Sequence, residues 1–371
     1  MKPKIIGITT YVESWHVQLA LAKKLKQLLP SAMIVAGGHC ATFCYRDMLR
    51  GGVFDCAIAG EGEEAFVQLC DYYIKGQGEL KQVNNLIYRE NDDIIVNERK
   101  RIVDIEALPF PDRNVLELDK YSYAFTLSTS RGCPGRCIFC SSHAFWGNKV
   151  IIRSPKNIID EIDAVYQQFK LTDFFVIDDT FTLIPKRTIE FCDLLNELGE
   201  KYNVSFKWGC ESRADVVTEE VLAKMKQAGC VMVQFGMESG NDEILKSIKK
   251  NITYSQLYTA VTLAHKVGLK MNVSIILGHH LDTKETIEET ISKGKDMKEK
   301  FGANVLFSIN TPYPGTELRE SIDKFDLELL FTEVSKLRIN IPSFRSKLIS
   351  EREVNQYFVE AQYISSYLIP N

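Results

Sequence analysis

No run of about 18 apolar residues occurs in the 371-residue chain, so nothing in it has the character of a membrane-spanning helix. Met1 leads into KPKIIGITTY, an apolar stretch too short and too soon interrupted for a secretory signal. A charge excess is also missing: 45 Lys and Arg stand against 49 Asp and Glu, a net charge of -4. That balance gives no basic field to attract nucleic acid or an anionic membrane surface. These absences predict a cytoplasmic protein that acts on a small molecule or a peptide. In a reducing compartment the 10 cysteines are no disulfide framework, so scattered ones belong to the core and clustered ones to metal or redox chemistry.

What is present is ordinary globular material, 45% apolar and 25% charged, long enough for one large α/β domain and a smaller one. Short β-branched runs alternate with amphipathic helices from Lys4 to about Asn97, the pattern of βαβ units. KIIGITTY, AMIVAGG and DCAIAG read as strands, and NNLIYRENDDIIVNE as a hairpin turning near Asn91 and Asp92. ALPFPDRNV, with two prolines, is the best linker. A second alternation runs through AFTLSTS, DFFVIDD, VSFKWGC, VMVQFGM, KMNVSIILG and NVLFSIN, six strands each followed by a helix or loop. Six such units suit a partly closed parallel barrel with functional residues at the carboxyl ends of its strands.

After the first of those six strands comes RGCPGRCIFC, with Cys133, Cys137 and Cys140 in eight residues. Structural zinc needs four ligands, usually from two paired motifs, and no second pair follows at a suitable spacing. A redox pair would use Cys137 and Cys140 and leave Cys133 superfluous. Three buried core thiols are the plainest alternative. A four-iron cluster normally takes four thiolates, and with three it keeps one iron open.

The CxxxCxxC spacing, with Phe139 directly before the last cysteine, resembles the defining motif of the radical S-adenosylmethionine (radical SAM) superfamily. The resemblance covers roughly residues 100 to 320. It implies a 4Fe-4S cluster on the three cysteines, SAM chelated by the open iron, a 5'-deoxyadenosyl radical, and an electron donor of the flavodoxin or ferredoxin type. It also implies that Asp178 and Asp179 hold the SAM amino end and that Arg213 meets its carboxylate. Gly236 allows close approach, Glu238 and Ser239 contact the ribose or methionine part, Ile275 or Ile276 packs on adenine, and Phe139 lies by the cofactor. Each has a plainer alternative: a cap or loop for the aspartates, an ion pair for Arg213, core for the isoleucines. Where the family commonly has a Gly-Leu-Pro-Gly-Glu-Thr type turn, this chain reads GHHLDTKET, which puts His279 and His280 beside the expected active-site mouth as catalytic candidates or members of a solvated loop. Tyr313, in PYPGTEL, is a candidate for the substrate channel.

The first hundred residues resemble the later part of the cobalamin-binding domain that precedes many such barrels, as in VAGGHCATF and DCAIAGEGEEAF, with Gly37 and Gly38 placed for close approach to a flat cofactor. Two strands and an Asp-x-His-x-x-Gly loop of that domain are missing, which counts against cobalamin and leaves a sheet edge for a protein partner or a peptide. His39, Cys40 and Cys44 read as packing residues rather than ligands.

The expected fold is therefore α/β: a truncated Rossmann-like domain over 1–105, a partial (β/α)6 radical SAM barrel over 106–320, and a helical C-terminal cap over 321–371. The expected activity is radical modification of a C-H site in a small metabolite or a ribosomally made peptide without cobalamin, as rearrangement, elimination, epimerisation or peptide cleavage. Cobalamin-dependent methyl transfer is the alternative, and a non-enzymatic cluster-containing binding protein the rival of another class.

Overall fold

A computed structural model describes residues 2–121 and 125–365. Ala124, the first residue of the AFTLSTS strand, and residues 366–371 of the expected cap lie outside the described residues.

The amino-terminal sheet has the order β1-β2-β3-β4-β5. β1 (Ile5–Thr9), β2 (Met33–Gly37) and β3 (Cys56–Ile58) are parallel, and β4 (Leu86–Glu90) and β5 (Asp93–Val96) form the expected antiparallel hairpin. The helices are α1 (Trp15–Leu28), α2 (Gly38–Phe43), α3 (Tyr45–Arg50) and α4 (Glu63–Cys70). Among the described residues β1 pairs only with β2, so its outer edge is open.

The second sheet has six parallel strands in the order β13-β12-β11-β10-β9-β6, one for each run read from the sequence. β6 (Thr126–Leu127) is followed by a two-residue antiparallel pair, β7 (Ser130–Arg131) with β8 (Ile151–Ile152), around α5 (Ser142–Trp146). Then come α6 (Pro155–Phe169), β9 (Asp173–Val176), α7 (Pro185–Tyr202), β10 (Lys207–Ser212), α8 (Glu219–Gln227), β11 (Cys230–Glu238), α9 (Asp242–Ser247), α10 (Tyr254–Lys266), β12 (Lys270–Leu277), α11 (Lys284–Phe301) and β13 (Asn304–Ile309). Local chemistry sets the helix starts. The Ser154 side chain accepts from Asn157 N and Pro155 takes the first helical position of α6, whose Ile158, Ile162 and Val165 then fall on one buried face. Thr283 and Thr286 form a reciprocal cap at α11.

The convex side of this sheet carries the main core. Trp208 is buried among Phe174, Phe181 and Phe191, stacked on the first and edge-on to the others. Glu161 of α6 is also buried there and pairs with two arginines, Arg113 at 2.8 Å and Arg153 at 2.6 Å. On the concave side the alternate residues remain half-buried or open.

Among the described residues beyond α12 (Glu317–Glu320), the helix expected over 321–371 is realised as one α-helix, α13 (Glu351–Gln362), and two short 3-10 turns, Ile322–Phe325 and Val334–Lys336. Between α12 and α13 an irregular strap with the two-residue pair β14 (Glu328–Leu329) and β15 (Phe344–Arg345) crosses the molecule. Its apolar residues explain the path: Leu327 and Phe344 pack with Ile138 of the cysteine loop, and Leu337 packs into the amino-terminal domain. The two domains also meet through buried Glu61, which accepts from Ile102 N at 2.9 Å and Arg131 Nη1 at 2.5 Å.

Candidate active site at the three-cysteine loop

The loop from Gly132 to Ser141 runs between β7 and α5, beyond the carboxyl end of β6. Ile138 pins it: the side chain is buried with Ile244, Leu245, Ile248 and Leu318, its N–H donates to Ile248 O at 3.1 Å, and its carbonyl accepts from Leu318 N at 2.9 Å. That anchor fixes Cys137 and Cys140 on either side. Backbone N–H groups point at two sulfurs, Gly135 N at Cys133 Sγ and Ser142 N at Cys140 Sγ, each at 3.4 Å. Desolvation by the surrounding loop pushes the Cys137 thiol up, and that of Cys140, although the residue is exposed at the surface, up to about 12, so a metal has to displace protons to bind. Among the described residues no three His, Cys, Asp or Glu side chains converge on a site for one ion. Three thiols spread around one loop, with N–H donors to hold thiolates, fit a multi-iron cluster.

The neighbouring carboxylates have different roles. Asp179 accepts from Ser142 Oγ at 2.9 Å and lines a 540 Å³ cavity with Cys140; burial raises its pKa. Asp178, expected beside the SAM amino end, is placed instead within the fold. It is wholly buried and accepts from Thr129 N at 2.6 Å, Ser130 Oγ at 2.7 Å and Thr129 Oγ1, clamping the end of β9 to the end of β6. Burial still raises its pKa against those bonds.

Four further candidates have partners within the fold. The Arg213 fork faces Asp215, two residues on, with both bonds at 2.9 Å, while its Nη1 lies against Gly135 of the cysteine loop. Burial opposes the Arg213 charge, and the Asp215 carboxylate outweighs it. A register shift after Gly236 and a φ of +62° at Glu238 turn that side chain back onto Lys250 at 2.8 Å, so Glu238 is not free for ribose. A Cβ on Gly236 would stand 2.1 Å from Glu238 Oε1, so its openness serves this ion pair. Ser239 is buried, bonded to Thr290 Oγ1 at 3.2 Å and accepting from Asn241 N at 3.1 Å.

The His pair is buried rather than in a solvated loop. Asp282 accepts from Gly278 N and His279 N and turns both rings inward. His279 is buried with its ring 5.9 Å from Phe139 and Nδ1 near Asn310 Nδ2, and His280 packs on Phe325. Burial lowers both pKa values to about 4, leaving neutral rings at neutral pH. Tyr313 faces the amino-terminal domain, lining a 160 Å³ cavity with His39, Cys40 and Ser141. Burial and the Glu13 carboxylate beside its hydroxyl push its pKa up. Ile276 is half-buried on the concave face, whereas Ile275 belongs to the core.

Sequence reasoning missed Glu211, on the concave face of β10. Burial and the nearby Asp179 and Glu238 carboxylates raise its pKa. It also missed Lys250, buried between Glu238 and the Cys137 thiol. Both lie within the stretch covered by the resemblance, Glu211 two residues before Arg213 and Lys250 shortly after Ser239, where an unassigned charge was the available signal. Asp179 and Glu211 offer acceptors for an ammonium group, so the residues beside the loop fit SAM.

Across the 540 Å³ cavity stand His39 and Gly60 to Glu63, at the carboxyl ends of β2 and β3. Apart from its chain neighbours, only Ile58 Cγ2, at 3.8 Å, comes within 4 Å of where a Gly62 Cβ would be, whereas the Arg99 guanidinium covers Gly60. His39 also borders the 160 Å³ cavity and stacks on Phe145 at 4.4 Å. His39 lines both spaces and Phe145 the larger one, so this stack stands where the two adjoin. Cys40 and Cys44 are buried packing residues.

A parallel partial barrel with three loop cysteines at its first strand, facing the carboxyl ends of a second α/β sheet, defines a two-domain cluster enzyme. Residues 127–294 match the radical SAM superfamily and residues 1–70 the B12 binding domain. An uncharacterised methyltransferase of Pyrococcus horikoshii is 33% identical over 99% of this chain and 79% of its own length. The anaerobic magnesium-protoporphyrin IX monomethyl ester cyclase of Cereibacter sphaeroides is 29% identical over 95% of this chain, which spans only 58% of that protein. Among solved structures, the cobalamin-dependent S-adenosylmethionine radical enzyme OxsB, with aqua-cobalamin and S-adenosylmethionine bound, superposes with a TM-score of 0.78 over 98% of this chain and 58% of that one, at 19% identity. The chain belongs to the radical SAM superfamily, in the group whose barrel follows a B12-binding domain.

Proposed function

We propose that this radical SAM enzyme carries out cobalamin-dependent methyl transfer to an unactivated carbon of a small molecule. The observation that carries the reading is the shared cavity, in which Gly60 to Glu63 and His39 of one domain face Cys140 and Asp179 of the other. Cobalamin-independent chemistry, placed first from the missing strands, is the weaker reading beside the B12-domain match and a methyltransferase relative.

In this reading Cys133, Cys137 and Cys140 hold the 4Fe-4S cluster, Asp179 and Glu211 orient the SAM ammonium, and the Gly60–Gly62 turn carries the corrin edge. Cluster and SAM together supply reductive cleavage of a carbon-sulfur bond to a 5'-deoxyadenosyl radical, chemistry no side chain can start. The protein holds the reactants in register, and Phe139 and Trp146 limit access of water. A flavodoxin- or ferredoxin-type protein is the electron donor.

Anaerobic reconstitution with iron and sulfide, then SAM and dithionite, is expected to give 5'-deoxyadenosine. Hydroxocobalamin is expected to bind one per chain with a shifted absorbance, and more tightly to Phe145→Ala. Formation of 5'-deoxyadenosine without any cobalamin binding would return the assignment to cobalamin-independent chemistry.

A further inference from the structure

A second cavity, of 1140 Å³, opens beside the cluster cavity and shares Glu63, Ser128, Arg131 and Ile177 with it. We infer that this space is the substrate pocket of the proposed radical chemistry, on which the inference rests, and that its ligand is a large, mainly apolar, uncharged small molecule.

Position is the first argument. Thr126 pairs in register with Phe175 on the concave side of the barrel sheet, and Thr126, Ser128 and Ile177 line the cavity at the carboxyl ends of β6 and β9. A molecule held there lies next to the place where Asp179 and Cys140 face open space. The proline-containing linker roofs the cavity with Leu108, Phe110 and Leu116, and α4 closes it with Val67.

Its lining gives the class of ligand. Val67 is 60% exposed, Ile177 56% and Leu116 47%, all facing one space, and such a concentration of open apolar side chains marks a binding surface. The cations there are already paired. Arg131 binds Glu61 and Glu63, while Arg113 and Arg153 share Glu161. No free positive charge remains among these to receive a phosphate or carboxylate, and Glu64 and Asp112 would repel one. The volume lies above the roughly 300–1,000 Å³ usual for small-molecule sites, which calls for a bulky ligand.

The test uses the full chain and Nile red, a neutral apolar dye that fluoresces on leaving water. Wild type is expected to bind it one to one, with dodecanol competing at least tenfold better than dodecanoate. Val67→Glu and Leu116→Glu, both at exposed positions and checked for folding by circular dichroism, should each weaken binding tenfold or more. Val359→Glu, at an exposed site on α13, should leave it unchanged. SAM added to the reconstituted protein should leave the dye bound, since substrate and SAM must be present together. Equal affinity in all variants, preference for dodecanoate, or displacement of the dye by SAM would overturn the inference. None of these readouts needs cobalamin, so a failed cobalamin assignment and a failed pocket assignment give different results.

Discussion

The convex and concave faces of the barrel sheet are built from alternate residues of the same strands. On the convex side Val233, Phe235, Val273, Ile275 and Leu277 are buried beneath helices. On the concave side Gln234, Asn272, Ser274 and Ile276 remain half-buried, and Glu211 sits among other carboxylates. With a period of two, one set of residues can saturate the core while the other stays free for ligands. Stability and chemistry are therefore separable in this sheet, residue by residue.

The largest effect that tests this separation belongs to the loop. Cys140→Ala should abolish 5'-deoxyadenosine formation and the iron chromophore while leaving the unfolding midpoint of the apo-protein nearly unchanged, read by iron analysis and thermal denaturation. Trp208→Ala, on the convex side, should do the reverse. It empties an aromatic nest and should cost about 3–5 kcal/mol in urea unfolding. If Trp208→Ala left stability intact, the division of labour would be lost.

Acid should expose the buried turn after β12. Burial holds the His279 pKa at about 4 against an ordinary value of 6.5, so the native state binds fewer protons than the unfolded chain between those values. The stabilisation is full above pH 6.5 and is lost as pH falls towards 4. Asp282, raised to about 6, acts oppositely, its contribution being lost as pH rises through that value. Between pH 7 and pH 4 wild type should lose roughly 3 kcal/mol more than His279→Gln, a comparison that leaves Asp282 in place. The smallest effect is expected from Glu211→Gln. SAM affinity should fall about tenfold in isothermal titration of the reconstituted protein, with stability unchanged to within about 0.5 kcal/mol.

Strand runs and helix caps made both sheets legible in the sequence, because apolar periodicity and Ser-Pro starts are local signals. The cysteine loop was legible from spacing alone. Adjacent Asp178 and Asp179 were not separable, since the way the chain leaves β9 decides which carboxylate clamps β6 and which meets the cavity. Lys250 lies 12 residues beyond the Glu238 it neutralises, so nothing local announced the pair. The His279-His280 turn looked polar because its burial depends on Asp282 capturing two backbone N–H groups. The strap after α12 has apolar residues with no single period, because its partners lie in two different domains.

Ile138 has a consequence for assembly. Its backbone is held from both sides, by Ile248 and Leu318, and its side chain is buried in a small core of its own. Much of the ordering entropy of the loop is thus spent when the chain folds. A cluster then enters a seat that is already shaped, so its affinity is not drained by the cost of organising the ligands, and losing it need not unravel the barrel.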